Sequence, residues 1–320
     1  MWYNLDMGLI IAGTIIIALT ALLLLFTYVT YRMAFYSPKK RKENIYDFPD
    51  GSDFASAKDT MTKWIDELKE LPYEEVEIIS FDGLKLRGRY YHVQDGAPIH
   101  IQFHGYRGTA FRDLCGGHKM ARENGFNSIL VDQRAHGKSE GSTISFGINE
   151  RYDCLAWVRY AVGRFGESVK IYLSGVSMGA TTVLMASALD LPDNVKGIFA
   201  DCPFSSPEAI IKKTIKEMGF PPKLAFPFLA LGARLFGKFN VKAATAKEAV
   251  KDARVPILLL HGDADTIVPC QMSWEIYESN PEKIAFEIFP EAGHAMSYVV
   301  DNERYVGLVR EFFKKTNKTE

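Results

Sequence analysis

Six short, unbroken apolar runs recur along the chain, and helical segments separate most of them. Strands without polar interruptions that alternate with helices are typical of a mostly parallel sheet covered by helices on both faces. Before the first run, two alternating segments joined at Asp82-Gly83 predict a β-hairpin, and residues 53–71 predict an amphipathic helix. The sequence therefore predicts an α/β fold. The six runs read IHIQF, NSILVD, VKIYLS, VKGIFAD, PILLLH and AFEIFP.

The N-terminus carries a different signal, an uncharged and mostly apolar stretch over residues 7–29. As a helix it would be about 35 Å long, enough to cross the hydrocarbon layer of a membrane. A cleaved signal peptide fits poorly, because no basic segment precedes the stretch and no small-residue cleavage site follows it. Aromatic residues stand near both ends, as in an interfacial belt. We therefore predict an uncleaved transmembrane helix. The aromatic residues are Trp2, Tyr3, Tyr28 and Tyr31.

Flanking charges predict the orientation of this helix. Arg32 and the basic run Lys39–Lys42 follow it, whereas only Asp6 precedes it. The positive-inside rule then places the body of the protein on the cytoplasmic side of the cell membrane, in a single-pass topology. The basic run has two further readings, as a solvated linker or as a segment that contacts anionic lipid headgroups.

These signals predict three parts of the chain. Residues 1–35 form the anchor with its flanks, residues 36–73 form a basic linker and the amphipathic helix, and residues 74–316 form the α/β domain. Within that domain, residues 203–253 interrupt the alternation with a helical, apolar and proline-punctuated insertion. Between two core strands, such an insertion is either a lid over the end of the sheet or a pair of packing helices without a gating role.

Charge and cysteine content narrow the functional classes. The 38 basic and 39 acidic residues give a net charge of −1, so no overall field favours nucleic acid, and we expect no nucleic-acid partner. The four cysteines are scattered without C-x-x-C spacing or a Cys/His cluster, so we expect reduced thiols and no structural zinc. They are Cys115, Cys154, Cys202 and Cys270.

One run leads directly into a G-x-S-x-G motif centred on Ser177. The motif alone decides little, but it follows the predicted strand VKIYLS and precedes the helical segment ATTVLMASAL, which is the strand–turn–helix context of a nucleophile elbow. A serine on so sharp a turn leaves no space for side chains two residues before and after it. Gly175 and Gly179 satisfy that condition. Ser177 is thus the candidate nucleophile.

A serine hydroxyl needs a base, and the base needs an orienting carboxylate. His294 lies in a loop between the last predicted strand and the C-terminal helix, and we predict that it is the base. Two acids, Asp263 and Asp265, follow the strand PILLL; Asp265 is favoured and Asp263 is expected to shape the turn. A metal site of His261 with these two acids is the alternative, although no further ligands stand at useful spacing.

The loop after the strand IHIQF supplies the last candidates. In a sheet of this kind, one donor to a developing oxyanion is the backbone N–H of the residue after the nucleophile, here Met178. The second comes from the loop that begins at His104, where the backbone N–H of Tyr106 is the candidate and His104 itself is expected to be structural.

Five motifs in this order, FHGYRGT, VDQRAHGKSEG, SGVSMGA, HGDADTIVP and EAGH, resemble those of α/β-hydrolase superfamily serine hydrolases. The chain is similar to membrane-anchored members related to the prolyl-oligopeptidase-like and acylglycerol-lipase-like branches. The resemblance covers residues 74–315 approximately, and it implies an acyl-enzyme on Ser177, the triad of Ser177, Asp265 and His294, and no cofactor.

Two other classes of function, a nucleotide-binding protein and a non-enzymatic scaffold, compete with the hydrolase prediction. Gly137-Lys138-Ser139 suggests a phosphate-binding loop, but Asp132 stands where that motif requires glycine. A non-enzymatic membrane scaffold with the same fold is a second alternative. The predicted function is hydrolysis of a carboxylic ester, small or lipid-like, and the insertion and anchor favour the lipid-like substrate. A peptidase or thioesterase acting through the same triad stays open.

Overall fold

The computed structural model of the protein describes residues 2–38, 44–48 and 52–317. The basic run Lys39–Lys42 and the side chains of Trp2 and Tyr3 lie outside this description. Eight strands form one sheet, with the strand order β1-β2-β4-β3-β5-β6-β7-β8. The strands are β1 (Glu74–Ile79), β2 (Lys85–Tyr91), β3 (Ile99–Phe103), β4 (Asn127–Val131), β5 (Ile171–Val176), β6 (Val195–Asp201), β7 (Ile257–Gly262) and β8 (Ile284–Phe289).

The predicted mostly parallel α/β sheet is confirmed. Strands β1 and β2 form the expected antiparallel hairpin, and β2 pairs antiparallel with β4. All remaining pairs, from β4 through β3 to β8, are parallel. The carboxyl ends of these parallel strands therefore meet at one edge of the sheet, where loops carry the functional groups of such folds.

The described residues form eleven α-helices, some of which cover both faces of the sheet. They are α1 (Trp2–Ala34), α2 (Ser52–Glu70), α3 (Ala110–Glu123), α4 (Glu150–Phe165), α5 (Met178–Ala186), α6 (Pro207–Glu217), α7 (Pro222–Leu235), α8 (Ala246–Ala249), α9 (Gln271–Tyr277), α10 (Ser297–Val300) and α11 (Asn302–Asn317), and a 3₁₀ turn follows α8 at Val250–Asp252. The amphipathic helix predicted over residues 53–71 is α2, one residue earlier at each end.

Successive residues of the central strands alternate between two apolar clusters. In β5, Leu173 packs with α4 and α5 on one face, whereas Tyr172 packs with α3 and α11 on the other. The same alternation places Leu259 of β7 on the first face and Leu258 on the second. Because both faces are covered, these strands have no polar face, which explains their unbroken apolar sequence.

The predicted insertion contains α6, α7 and α8, which lie between β6 and β7 in the chain. Ser206 begins α6 as an N-cap, its Oγ accepting the Ala209 N–H at 3.1 Å, and Pro207 occupies the first turn. The apolar faces of α6 and α7 form a third cluster above the carboxyl edge of the sheet. Tyr31 and Phe35, at the end of α1, belong to the same cluster.

The apolar N-terminal segment forms the single helix α1. Within the described ranges, Met7–Ala34 is the one stretch of helix long and apolar enough to cross a membrane. Most of its length is exposed, and only its last turns pack on the rest of the chain, mainly on α7. Length and composition thus make α1 a candidate transmembrane helix.

Candidate active site

Ser177 lies between the end of β5 and the start of α5, in a strained backbone conformation with φ 55° and ψ −116°. A left-handed φ is costly for a residue that carries a side chain. The flanking glycines make the turn sterically feasible. A Cβ at Gly175 would lie 2.2 Å from the carbonyl carbon of Gly179, and a Cβ at Gly179 would lie 2.0 Å from the carbonyl oxygen of Phe103. No other residue fits at either position.

His294 follows β8 in a loop that precedes α10. Its Nε2 lies 3.0 Å from Ser177 Oγ, and its Nδ1 lies 2.7 Å from Asp265 Oδ2. The loop approaches the end of β7 closely because residue 262 is glycine: a Cβ there would lie 2.0 Å from the carbonyl oxygen of Ala292. The structure thus brings together three side chains that are separated by 29 to 117 positions in the chain.

Asp265 is buried in the turn after β7 and accepts several hydrogen bonds. Its Oδ1 accepts the backbone N–H groups of Ile267 and Val268 at 2.9 and 2.8 Å. Its Oδ2 is shared by His294 and His261, the latter through Nε2 at 3.2 Å. Burial alone would raise the pKa of Asp265, but the hydrogen bonds from the two histidines outweigh it and hold that pKa well below its ordinary value. The carboxylate is therefore ionised at neutral pH.

The two acids of this turn differ in surroundings. Asp263 is exposed, and its Oδ1 accepts the backbone N–H of Glu291 at 2.7 Å. It therefore braces the loop that carries His294 without contacting the imidazole. His261 donates from Nε2 to the carbonyl oxygen of Val268 at 2.8 Å, and its Nδ1 lies 2.6 Å from Ser273 Oγ. His261 thus braces the same turn from inside.

The predicted oxyanion donors flank Ser177. Met178 is the first residue of α5, and the first backbone N–H groups of a helix have no acceptor within the helix. Tyr106 follows Gly105, whose Cα approaches the nucleophile so closely that a Cβ there would lie 3.6 Å from the Cβ of Ser177. Both residues therefore lie near Ser177, and their part as oxyanion donors stays a prediction.

Two residues that the sequence analysis did not select hold this loop in place. Asp113, on α3, accepts the backbone N–H of Gly105 at 2.9 Å. His136 accepts the backbone N–H of Arg107 through Nε2 at 3.1 Å. Burial lowers the pKa of His136 to about 3, so its ring is neutral and able to accept. His136 lies in the motif VDQRAHGKSEG and Asp113 lies outside the five motifs; the long-range contacts of both residues reveal their part.

Two further histidines, His104 and His100, are engaged elsewhere. His104 is buried, and its Nε2 accepts the backbone N–H of Gln133 at 3.1 Å. His100, on β3, lies 2.6 Å from Ser174 Oγ through Nε2. These contacts give both rings positions inside the sheet, in keeping with the structural part expected for His104.

Metal-binding groups coincide with the site itself. The ligand atoms of Cys202, Asp265 and His294 lie within 4.8 Å of one another. Burial keeps the pKa of the Cys202 thiol well above its ordinary value, so it offers a neutral sulfur rather than a thiolate. A cation there would also have to displace the bond between His294 and Asp265. These donors suit proton transfer better than metal binding.

A cavity of about 690 Å³ opens from Ser177. Most of the described residues that line it are apolar, and they come from the insertion, from the loop after β7 and from α1. Phe146 and Phe204 border it on the inner side, and Thr266, Ile267 and Val268 border it beside Asp265. The nucleophile therefore faces an apolar chamber.

Comparison with known proteins gives consistent results. Residues 143–320 match the prolyl oligopeptidase family. The chain is similar to an esterase of Pyrococcus furiosus, with a TM-score of 0.65 and 23% identity over 88% of this chain and 98% of that one. This structural likeness shows the α/β-hydrolase fold, as predicted.

Sequence relatives come from several organisms. A Bacillus subtilis protein, YqkD, is 27% identical to this chain over 60% of this chain and 64% of the length of YqkD. The Aspergillus aculeatus thiohydrolase AneE is 28% identical over 49% of this chain and 48% of the length of AneE. The chain thus spans about half to two thirds of these relatives. The lysophosphatidylserine lipase ABHD12 of Danio rerio is 23% identical over 69% of this chain and 59% of its own length.

Proposed function

The chain belongs to the prolyl oligopeptidase family, and from that premise we propose that it is a serine hydrolase that cleaves carboxylic esters through an acyl-enzyme on Ser177. One observation carries the proposal. A continuous series of hydrogen bonds runs from Ser177 Oγ through both ring nitrogens of His294 to the buried Asp265, at 3.0 and 2.7 Å. The strained turn presents the serine in the lining of an apolar cavity.

The mechanism follows from the direction of these bonds. The ionised Asp265 accepts the Nδ1–H of His294, which leaves the Nε2 lone pair directed at the Ser177 hydroxyl. As Oγ bonds to the substrate carbonyl carbon, its proton passes to Nε2. The backbone N–H groups of Tyr106 and Met178 stabilise the negative charge on the carbonyl oxygen, and loss of one such donor typically costs about 3 kcal/mol.

Collapse of the tetrahedral intermediate breaks the bond to the leaving alcohol, which takes the proton from His294. Water then attacks the acyl-enzyme, with His294 removing its proton, and the second collapse returns the proton to Ser177 Oγ and releases the acid. The ionised Asp265 stabilises the imidazolium in both halves of the cycle. No step requires a cofactor.

Thioester hydrolysis is a second candidate, since the same triad can expel a thiol and one relative is a thiohydrolase. The apolar cavity suits the hydrocarbon part of either substrate. A peptide extends its own polar backbone into the binding site, which an apolar lining does not satisfy, so the amide reaction is the least favoured of the three.

We also place the hydrolase at a membrane, held by α1. The helix is long and apolar enough to span a bilayer, and Arg32 and Lys39–Lys42 after it favour a cytoplasmic active site. Resistance of the protein to alkaline carbonate extraction tests the anchor. Protease protection of the body in sealed vesicles tests the orientation.

Active-site labelling tests the hydrolase proposal. A fluorophosphonate should label the full-length protein at Ser177, and Ser177→Ala should abolish both labelling and ester hydrolysis. Ser187→Ala is the matched control, because Ser187 lies just after α5 and its hydroxyl donates to the Leu184 carbonyl oxygen at 2.7 Å. An oxygen ester, a thioester and an amide of the same acyl group then identify the substrate class. Equal labelling of Ser177→Ala would exclude the proposal.

A further inference from the structure

The membrane helix contributes directly to the cavity in front of Ser177. Five residues near its end line that cavity: Phe26, Val29, Thr30, Met33 and Ala34. Four of them follow the i, i+3, i+4, i+7 spacing of a single helix face. The opposite wall comes from the insertion, where Ile211, Ala225 and Leu229 are among the lining residues. One wall of the cavity is therefore formed by α1, for which the sequence predicts only the part of a membrane anchor.

A second face of α1 fixes the position of this wall. Gly232, on α7, lies so close that a Cβ there would be 2.5 Å from the carbonyl oxygen of Thr27 and 3.0 Å from Cβ of Tyr31. Phe26 packs edge-on against Phe228, with ring centroids 5.1 Å apart. Contacts of this tightness between helices need a small residue at the crossing. The helix is therefore docked on the insertion rather than tethered near it.

The end of α1 is also bound to the loop that carries Tyr106. The hydroxyl of Tyr106 donates to the carbonyl oxygen of Ala34 at 2.8 Å, and the guanidinium of Arg107 donates to that of Met33 at 2.8 Å. Both carbonyl groups lie in the last turn of the helix, where no intrahelical donor remains for them. The cavity wall and the reaction centre are thus joined by direct hydrogen bonds.

The open side of the cavity has an apolar rim. Four apolar side chains border this side, and each is 44 to 58% exposed. They are Val29 and Met33 on α1, and Met218 and Phe220 after α6. The contacts between α1 and α7 advance together along both helices, from Phe26 with Phe228 to Tyr31 with Phe236, so the two run in the same direction. The first turn of α7 therefore lies towards the exposed, apolar part of α1.

We propose that this cavity is the binding site for one unbranched acyl chain of a membrane lipid, and that the pocket face of α1 determines which chain lengths fit. The inference rests on Ser177 being the nucleophile of an ester hydrolase. The lipid enters the cavity through the opening between α1 and the turn that joins α6 to α7. Its acyl chain then lies in the apolar cavity, with its ester carbonyl group at Ser177 Oγ. Exposed apolar rims of this kind are stable only against lipid or another apolar surface.

The expected effect can be worked from the burial of the chain. Each methylene group that moves from water into the cavity should raise kcat/KM roughly fourfold. A tryptophan in place of Thr30, which is half-buried and lines the cavity, would fill the space of three or four methylene groups. Thr30→Trp should therefore lower kcat/KM for long chains by about a hundredfold, while short chains should react as with the wild type.

The test uses the full-length protein in lipid nanodiscs and the 4-nitrophenyl esters of butanoate, octanoate, dodecanoate and hexadecanoate. Leu25→Trp is the matched control, because Leu25 is on the same helix, is 59% exposed and does not line the cavity. We expect Thr30→Trp to shift the optimum towards butanoate and Leu25→Trp to leave the series unchanged. Identical series for wild type and Thr30→Trp would overturn the inference and leave the hydrolase proposal intact.

A photoaffinity experiment covers the case in which Thr30→Trp does not fold. An alkyl fluorophosphonate with a diazirine at the end of its chain is bound to Ser177 of the wild type and irradiated. Adducts on residues 26–34 support the inference, and adducts confined to the insertion refute it. Failure of the reagent to react with Ser177 at all would refute the hydrolase proposal itself, so the two failures are distinguishable.

Discussion

Replacing Asp265 by asparagine tests the hydrogen-bond direction on which the mechanism depends. In the wild type, Asp265 Oδ2 accepts from Nδ1 of His294 at 2.7 Å and from Nε2 of His261 at 3.2 Å, while Oδ1 accepts two backbone N–H groups. The asparagine oxygen can keep the two backbone bonds. Its NH₂ group then faces the two histidines as a donor where an acceptor stood.

The consequence for His294 is a change of tautomer. To accept from the new NH₂ group, Nδ1 must lose its proton, and the remaining proton then resides on Nε2, which points at Ser177. A protonated Nε2 cannot remove the serine proton. The corresponding change in other serine hydrolases lowers kcat by about 10⁴, equivalent to roughly 5 kcal/mol of barrier. We expect a loss of this order for Asp265→Asn.

The assay compares kcat of Asp265→Asn and Asp263→Asn on one ester, together with the rate of fluorophosphonate labelling. Asp263 is the matched control, because it is exposed and contacts the backbone of Glu291 instead of the imidazole. Asp263→Asn should stay within a few-fold of the wild type. If Asp265→Asn retained more than a tenth of the activity, or if Asp263→Asn were the more damaging change, the assignment of the acid would be wrong.

Three further substitutions probe stability. Gly179→Ala should leave little folded protein, because its Cβ would lie 2.0 Å from the Phe103 carbonyl oxygen. A Cβ at Gly163, in α4, would have no described atom beyond its own helical turns within 4 Å, so Gly163→Ala should raise the free energy of unfolding by up to about 1 kcal/mol. Equal melting temperatures of the two variants would contradict this. Burial raises the pKa of Asp201 from 3.8 to about 6. The neutral carboxyl group therefore stabilises the folded state by about 3 kcal/mol below pH 4. This contribution disappears as the pH rises through 6. The free energy of unfolding of Asp201→Asn, relative to that of the wild type, should thus increase between pH 4 and 7. The measurement is urea unfolding of both proteins at the two pH values. The same difference in free energy at both would contradict the prediction.

Local patterns were sufficient to predict the sheet and the order of the candidate residues. Unbroken apolar runs specify strands covered on both faces, and the glycines around Ser177 specify a turn that only small flanking residues permit. Such signals depend on near neighbours, so they are visible in the chain itself. The choice between Asp263 and Asp265 was less secure, because two residues of one turn differ only in what each meets across the fold.

The sequence by itself determined an α/β domain, a serine on a sharp turn and one helix apolar enough for a membrane. Only the tertiary structure decided that the last turns of that helix pack on α7, accept hydrogen bonds from Tyr106 and Arg107 at their carbonyl oxygens, and line the cavity of Ser177. These contacts join segments more than 70 positions apart. Hydropathy records how apolar a helix is, and it contains no information on which of its faces meets lipid and which meets protein.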